Sequence, residues 1–165
     1  MGQEKKYILT AATAEKKLRR MALEIAERNY EETALILVGI KENGIVIARI
    51  IENFLKEVFK GDINIIELSI DKKRPAAVSF NKEIDFDDKV ILLIDDVANS
   101  GRTMLYALKP MLEQHPKKIQ TLALVERTHK IFPVAVDHVG LSVSTTLDEH
   151  IVVEVGGGKV LGAYM

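Results

Sequence analysis

Two periodicities alternate along the chain. Ala34–Val38, Val90–Ile94 and Ile119–Val125 are apolar with no polar alternation, the pattern of strands covered on both faces, and Ile63–Ile70 reads as a further strand. Between them the apolar positions return at helical spacing. From Ala14 to Asn29 the stripe is Leu18, Met21, Ala22, Ile25 and Ala26, with Lys16, Lys17, Arg19, Arg20, Glu24 and Glu27 on the remaining faces; Thr10 or Thr13 is placed to cap this helix. From Ile45 to Phe59 it is Ile47, Ile50, Ile51, Phe54, Leu55 and Val58. A third helix follows Ser100, its predicted cap, with Met104, Leu105, Leu108, Met111 and Leu112 toward the core and Pro110 set to kink it or end it early. Strands alternating with helices predict an α/β fold, a central mostly parallel sheet flanked by helices. Short β segments are expected at Tyr7–Leu9, Val136–Gly140, Ile151–Val155 and Val160–Tyr164, the last two joined by a Gly156-Gly157-Gly158 hairpin turn.

Composition narrows the reading. With 165 residues, 47% of them hydrophobic, the chain is expected to form a single domain over 1–165. Its 23 basic and 24 acidic side chains balance to −1, so bulk charge calls for neither nucleic acid nor an anionic membrane, and the Lys16–Arg20 cluster reads as a solvated helix face before an RNA contact. Zero Cys removes disulfides, thiolate metal sites and cysteine nucleophiles together. The amino terminus has no apolar segment long enough for a signal peptide or a spanning helix; a soluble, cytoplasmic protein is expected.

The chemistry concentrates in Lys89–Met104, KVILLIDDVANSGRTM. At the carboxyl end of a buried parallel strand an open α/β sheet places its ligands, and Asp95 and Asp96 stand there as acceptors for a sugar diol, outside the core. Ala98, Asn99, Ser100, Gly101, Arg102 and Thr103 follow, combining small residues, a glycine and two hydroxyls, a composition that lets backbone N–H groups wrap an anion at the start of a helix. A Walker A loop and a dinucleotide-binding glycine loop are both excluded by the absence of their glycine spacing. A second strand–loop–helix unit carries Lys41, Glu42, Asn43 and Gly44 in its loop. The polar stretch 71–88, broken by Pro75, is long enough to be a lid. His129 and His138 read as histidines holding one backbone hydrogen bond rather than as general bases, and no spacing of histidines and acids describes a zinc site.

DDVANSGRT after an apolar strand resembles the phosphoribosyl pyrophosphate (PRPP) motif of type I phosphoribosyltransferases. LVGIKENGIVIARII and LVERTHKIFPVAVDHVGLSVST are similar to the subfamily of bifunctional pyrimidine operon regulators and uracil phosphoribosyltransferases. The resemblance runs from about Ala34 to Val153. It implies a type I phosphoribosyltransferase fold with a small hood, the hood loop within 71–88 and β segments from 136–165 contributing. It implies a site in which Asp95 and Asp96 hold the ribose hydroxyls or metal-bound waters and serve catalysis, and Ala98–Thr103 hold the 5′-phosphate. Lys41, Glu42, Asn43 and Gly44 would form the pyrophosphate loop, with Lys72, Lys73 and Arg74 of the hood reaching the same group. Mg²⁺ would be the cofactor, held without a dedicated protein cage.

The chain departs from the subfamily at three points. Asn43 stands where the subfamily has Arg, the 71–88 segment is shorter and lacks its Tyr-Arg-Asp-Asp string, and Gly140-Leu141-Ser142 replaces Gly-Lys-Asn. Asn99 aligns with an Asp that takes a proton from the purine in hypoxanthine and guanine phosphoribosyltransferases, and an amide cannot do so. Uracil is therefore the expected base, with another base left open. The expected function is transfer of phosphoribose from PRPP to a nucleobase, giving a nucleoside monophosphate and pyrophosphate. The alternative is a nucleotide-sensing, RNA-binding regulator of pyrimidine genes with weak or no catalysis. Homo-oligomers are usual in the family.

Overall fold

The structure is a computed structural model and describes residues 4–71, 73–75, 77–146 and 149–165. In chain order the elements are β1 (Tyr7–Thr10), α1 (Ala11–Arg28), β2 (Ala34–Ile40), α2 (Asn43–Val58), β3 (Asp62–Ile70), β4 (Val78–Phe80), β5 (Val90–Ala98), α3 (Arg102–Leu112), β6 (Lys118–Arg127), β7 (His138–Val143), β8 (Val152–Gly156) and β9 (Lys159–Tyr164). A six-stranded sheet has the order β4-β3-β2-β5-β6-β7, parallel except for the antiparallel edge strand β4. A three-stranded antiparallel sheet, β1-β9-β8, joins the two ends of the chain.

The unbroken apolar runs are explained by two cores. Successive side chains of a strand point to opposite faces. Leu35, Leu37, Leu92, Ile94, Leu122 and Leu124 thus meet α1, α2 and the small sheet, while Ile36, Val38, Ile91, Leu93 and Ala123 meet Met104, Ala107 and Met111 of α3. Both sets are buried, so neither face tolerates polar alternation. α1 begins at Thr10, whose hydroxyl accepts from the Thr13 N–H at 3.2 Å, and it buries Ala14, Leu18, Met21, Ala22 and Ile25.

This order places a crevice. The chain leaves β2 through α2 toward β3 on one side and leaves β5 through α3 toward β6 on the other, so the adjacent carboxyl ends of β2 and β5 form the topological switch point. Two glycines let α2 approach. A Cβ on Gly39 would lie 2.6 Å from the Ile45 Cα, and one on Gly44 would lie 2.7 Å from the Ile94 carbonyl oxygen.

Several local expectations are corrected. The 71–88 stretch is not all loop: Val78–Phe80 pairs antiparallel with Leu68–Ile70, a strand too short to register as a pattern. β5 does not end at Asp95 but runs to Ala98, because β6 continues beside it with Val97 opposite Val125 and Ala98 opposite Glu126. α3 continues through Pro110 to Leu112; a proline in the final turn forfeits one hydrogen bond without ending the helix. Its N-cap is Gly101 rather than Ser100, although the Ser100 hydroxyl accepts from the Arg102 N–H at 3.3 Å. No helix among the described residues is long and apolar enough to cross a membrane.

Candidate functional site

The switch-point crevice holds two clefts, and β5 supplies one acid to each. Asp96 lines a cleft of about 560 Å³ with Lys41, Glu42 and Asn43 from the β2–α2 junction and Ser69 and Ile70 from the end of β3. Asp95 lines a smaller recess of about 90 Å³ with Val97–Met104, the β5–α3 turn. Adjacent residues of a strand face opposite ways, which is how one pair of neighbours serves two clefts.

Asp95 is 2% exposed, contrary to the expectation that both acids lie outside the core; extension of β5 past it and the approach of Gly44 enclose it. Its Oδ1 accepts from the Asp96 N–H at 2.8 Å. Asp96 is half-buried; its Oδ1 accepts from the Val97 N–H at 2.8 Å and its Oδ2 from the Asn43 Nδ2 at 3.0 Å. The Asn43 Nδ2 also donates to the Val153 carbonyl of β8 at 2.9 Å. One side-chain amide therefore joins α2, β5 and the small sheet.

The β5–α3 turn is shaped by Gly101, at φ +86°, a conformation costly for any residue with a Cβ. A Cβ there would also lie 2.7 Å from Val134 Cγ1. The Ser100 carbonyl accepts from the N–H groups of Ile131 and Phe132, both at 3.0 Å, so the loop after β6 buttresses the turn. The first N–H groups of α3 consequently open on the 90 Å³ recess, with Ser100 and Thr103 half-buried and Asn99 and Arg102 exposed. The β2–α2 loop is equally short. Its Lys41–Glu42 peptide bond is cis, the Lys41 N–H donates to the Leu68 carbonyl at 2.8 Å, and the N-cap residue of α2, Glu42, makes no side-chain capping hydrogen bond, with no acid in the first turn beyond it.

Beyond β6, Glu126 accepts from Lys130 Nζ and from the Ser142 hydroxyl, the latter at 3.1 Å, forming a polar cluster where β6 and β7 end. The expected hood cations are not brought in. Lys73 and Arg74 are exposed on the turn after β3, outside the residues lining either cleft, and Lys72 lies outside the described residues. Ser69 and Ile70 line the larger cleft although their sequence carries no chemical signal; only their position at the end of the strand next to β2 could have marked them. His138 is fully buried in the sheet, 3.4 Å from Glu24 and from Gln120; burial pushes its imidazole below the ordinary value. It lines neither cleft, and its partners are two side chains rather than the single backbone hydrogen bond expected.

The phosphoribosyl transferase domain family matches residues 5–156. The chain belongs to that family. Bifunctional protein pyrR of Enterococcus faecalis is 34% identical to this phosphoribosyltransferase domain over 159 residues, 91% of the chain and 89% of the relative. The pyrimidine operon regulatory protein of Lactococcus lactis is 32% identical over 155 residues, 91% and 90% of the two chains. In structure, a hypoxanthine-guanine phosphoribosyltransferase from Bacillus anthracis superposes with a TM-score of 0.74 at 18% identity, covering 96% of each chain. The hypoxanthine phosphoribosyltransferase of Trypanosoma cruzi gives 0.75 at 13% identity, over 84% of this domain and 81% of that enzyme. At such identities the structures speak for the fold alone, the type I phosphoribosyltransferase α/β fold. The two relatives from Enterococcus faecalis and Lactococcus lactis are the nearer in sequence, at 34% and 32% identity.

Proposed function

We propose that the chain transfers the phosphoribosyl group of PRPP to a nucleobase, uracil first, in the crevice between the ends of β2 and β5. The observation that carries this reading is the division of Asp95 and Asp96 between two clefts, each lined by the first residues of a helix, α2 or α3. A ribose carrying anions at both ends is the ligand such an arrangement accommodates. The 5′-phosphate belongs on the Ala98–Thr103 turn, where backbone N–H groups and two hydroxyls face an anion. The pyrophosphate belongs at Lys41–Gly44, and the diol between them at the acids.

In the reaction, a base nitrogen forms a bond to C1′ as the C1′–oxygen bond to pyrophosphate breaks. Pyrophosphate leaves with the electron pair, and the nitrogen's proton passes to solvent or the leaving group. Charge develops on the ribose ring, so catalysis rests on position and fixed charge: Asp96 facing the sugar, main-chain donors holding the anions. The donor set fits Mg²⁺. It takes oxygen ligands, retains waters and is completed by substrate phosphates, and here the Asp96 carboxylate lines the larger cleft with one protein donor on each oxygen and acceptor sites to spare. Bound with PRPP, the ion would neutralise pyrophosphate charge. Asn99 is exposed and is no base, which weighs against purines; the name of the Lactococcus lactis relative, pyrimidine operon regulatory protein, weighs for a pyrimidine.

The second reading is an RNA-binding regulator of pyrimidine genes; the name of the Lactococcus lactis relative supports the regulatory role. Against it, the helix cluster has lost free cations to acids: Arg19 lies 4.0 Å from Glu57 and Arg20 3.3 Å from Glu24. The test is pyrophosphate release from Mg²⁺–PRPP with uracil, hypoxanthine and guanine in parallel. Release with uracil alone supports the reading; release with a purine alone reassigns the base; release with none, while PRPP binds, favours the regulator.

A further inference from the structure

Asn43 occupies the loop position that the functional reading gives to pyrophosphate, yet its amide is already committed. A primary amide has two N–H donors, and the Asn43 Nδ2 meets two acceptors, Asp96 Oδ2 at 3.0 Å and the Val153 carbonyl at 2.9 Å. None remains for a phosphate oxygen. The group left over is Oδ1, an acceptor, which gives an anion nothing.

Asp96 is held from two sides. The Val97 N–H takes one lone pair of Oδ1 and Asn43 takes one of Oδ2, leaving roughly two of the carboxylate's four acceptor sites to face the 560 Å³ cleft. Two fixed hydrogen bonds, one on each oxygen, define the plane of the carboxylate. The Val153 carbonyl fixes Asn43 in turn, because Val153 is itself buried, in register with Ala163 of β9, and so belongs to the small sheet's packing against α1 and α2. A chain of contacts thus runs from the small sheet through one amide to the acid in the cleft.

We propose that Asn43 is a positioning residue whose side chain orients Asp96 toward the ribose and couples it to β8, and that this side chain is no ligand of pyrophosphate. This rests on the functional reading above.

The test is a double-mutant cycle on Mg²⁺–PRPP binding, read by calorimetry in the full-length protein: wild type, Asn43→Ala, Asp96→Asn and the pair, with Asn43→Asp as a variant of nearly equal volume. Thermal melts establish that each is folded. Asn43→Ala is expected to weaken binding about tenfold, and the double variant to bind within about threefold of Asp96→Asn alone, since residues acting through one another are not additive. Asn43→Asp, which puts a second charge beside Asp96, is expected to weaken binding at least as much, and Asn43→Arg not to tighten it. Fully additive losses, a tighter Asn43→Arg variant, or a lowered melting temperature with unchanged affinity would each overturn the inference alone. Failure of the wild type to bind Mg²⁺–PRPP would overturn the functional reading with it.

Discussion

Gly44→Ala is the substitution that reaches the site through packing alone. Gly44 is the second residue of α2 and is buried against β5, and the added methyl would stand 2.7 Å from the Ile94 carbonyl oxygen and 3.1 Å from the Asp95 Cα. Both are backbone atoms of a strand paired on each side, with β2 and β6, so they cannot yield. The start of α2 must lift instead. Overpacking of this kind costs about 1–3 kcal/mol, and the better helix propensity of alanine offsets at most about 1 kcal/mol of it. A net loss of about 1–2 kcal/mol lowers the melting temperature by roughly 2–8 °C in a domain of this size. The neighbouring residue is Asn43, so the same lift lengthens its 3.0 and 2.9 Å hydrogen bonds to Asp96 and Val153. Mg²⁺–PRPP affinity is expected to fall at least about tenfold, equal to about 1.4 kcal/mol. Differential scanning fluorimetry and isothermal titration measure the two effects separately. A variant with unchanged melting temperature and unchanged affinity would refute the placement of α2 against β5.

Gly101→Ala must hold an alanine at φ +86° and fit it beside Val134, so it should cost about 1–2 kcal/mol in backbone strain alone and weaken binding of a 5′-phosphate, checked by melting and by titration with ribose 5-phosphate. His138 supplies a pH dependence. Its value is lowered by burial first, against an opposing contact from Glu24 and with help from the charge of Arg28, so the unfolded chain binds the proton at 6.5 while the fold still excludes it. Stability should therefore be complete above that pH and decline as pH falls below it, by up to about 1.4 kcal/mol per pH unit; urea titrations of wild type and His138→Gln between pH 7.5 and about 5.5 should show a shallower decline in the variant.

The parts of this fold that were legible in sequence are those written in a single element. Val90–Ile94 betrays a strand buried on both faces because each residue must serve one core or the other, and Leu18, Met21, Ala22 and Ile25 betray α1 because one stripe serves one core. The cap of α1 was readable to within Thr10 or Thr13 because a cap is local, and Thr10 is the one that fills it. What escaped was non-local. The pairing of β1 with β9 joins Tyr7 to Tyr164, and no periodicity announces a partner that distant. Val78–Phe80 owes its strand state to Leu68–Ile70 rather than to its own residues. At the site the acids and the glycine turn were visible as a motif, but the burial of Asp95 depends on how far β6 extends beside β5 and how closely Gly44 packs. Asn43 read as a weakened anion ligand because its two acceptors lie 53 and 110 residues away.

The central claim, that the acids at the end of β5 bind the ribose of PRPP, is tested most directly by titrating Mg²⁺–PRPP into the wild type and into Asp96→Asn. Asp96 is the acid to change because it is half-buried and open to the larger cleft, whereas Asp95 is enclosed. Replacing the carboxylate removes hydrogen bonds to a charged group worth about 1.5–3 kcal/mol, so the wild type should bind one PRPP per chain and the variant roughly 10- to 100-fold more weakly. A wild type that takes no PRPP, or a folded variant that binds it equally well, would contradict the account.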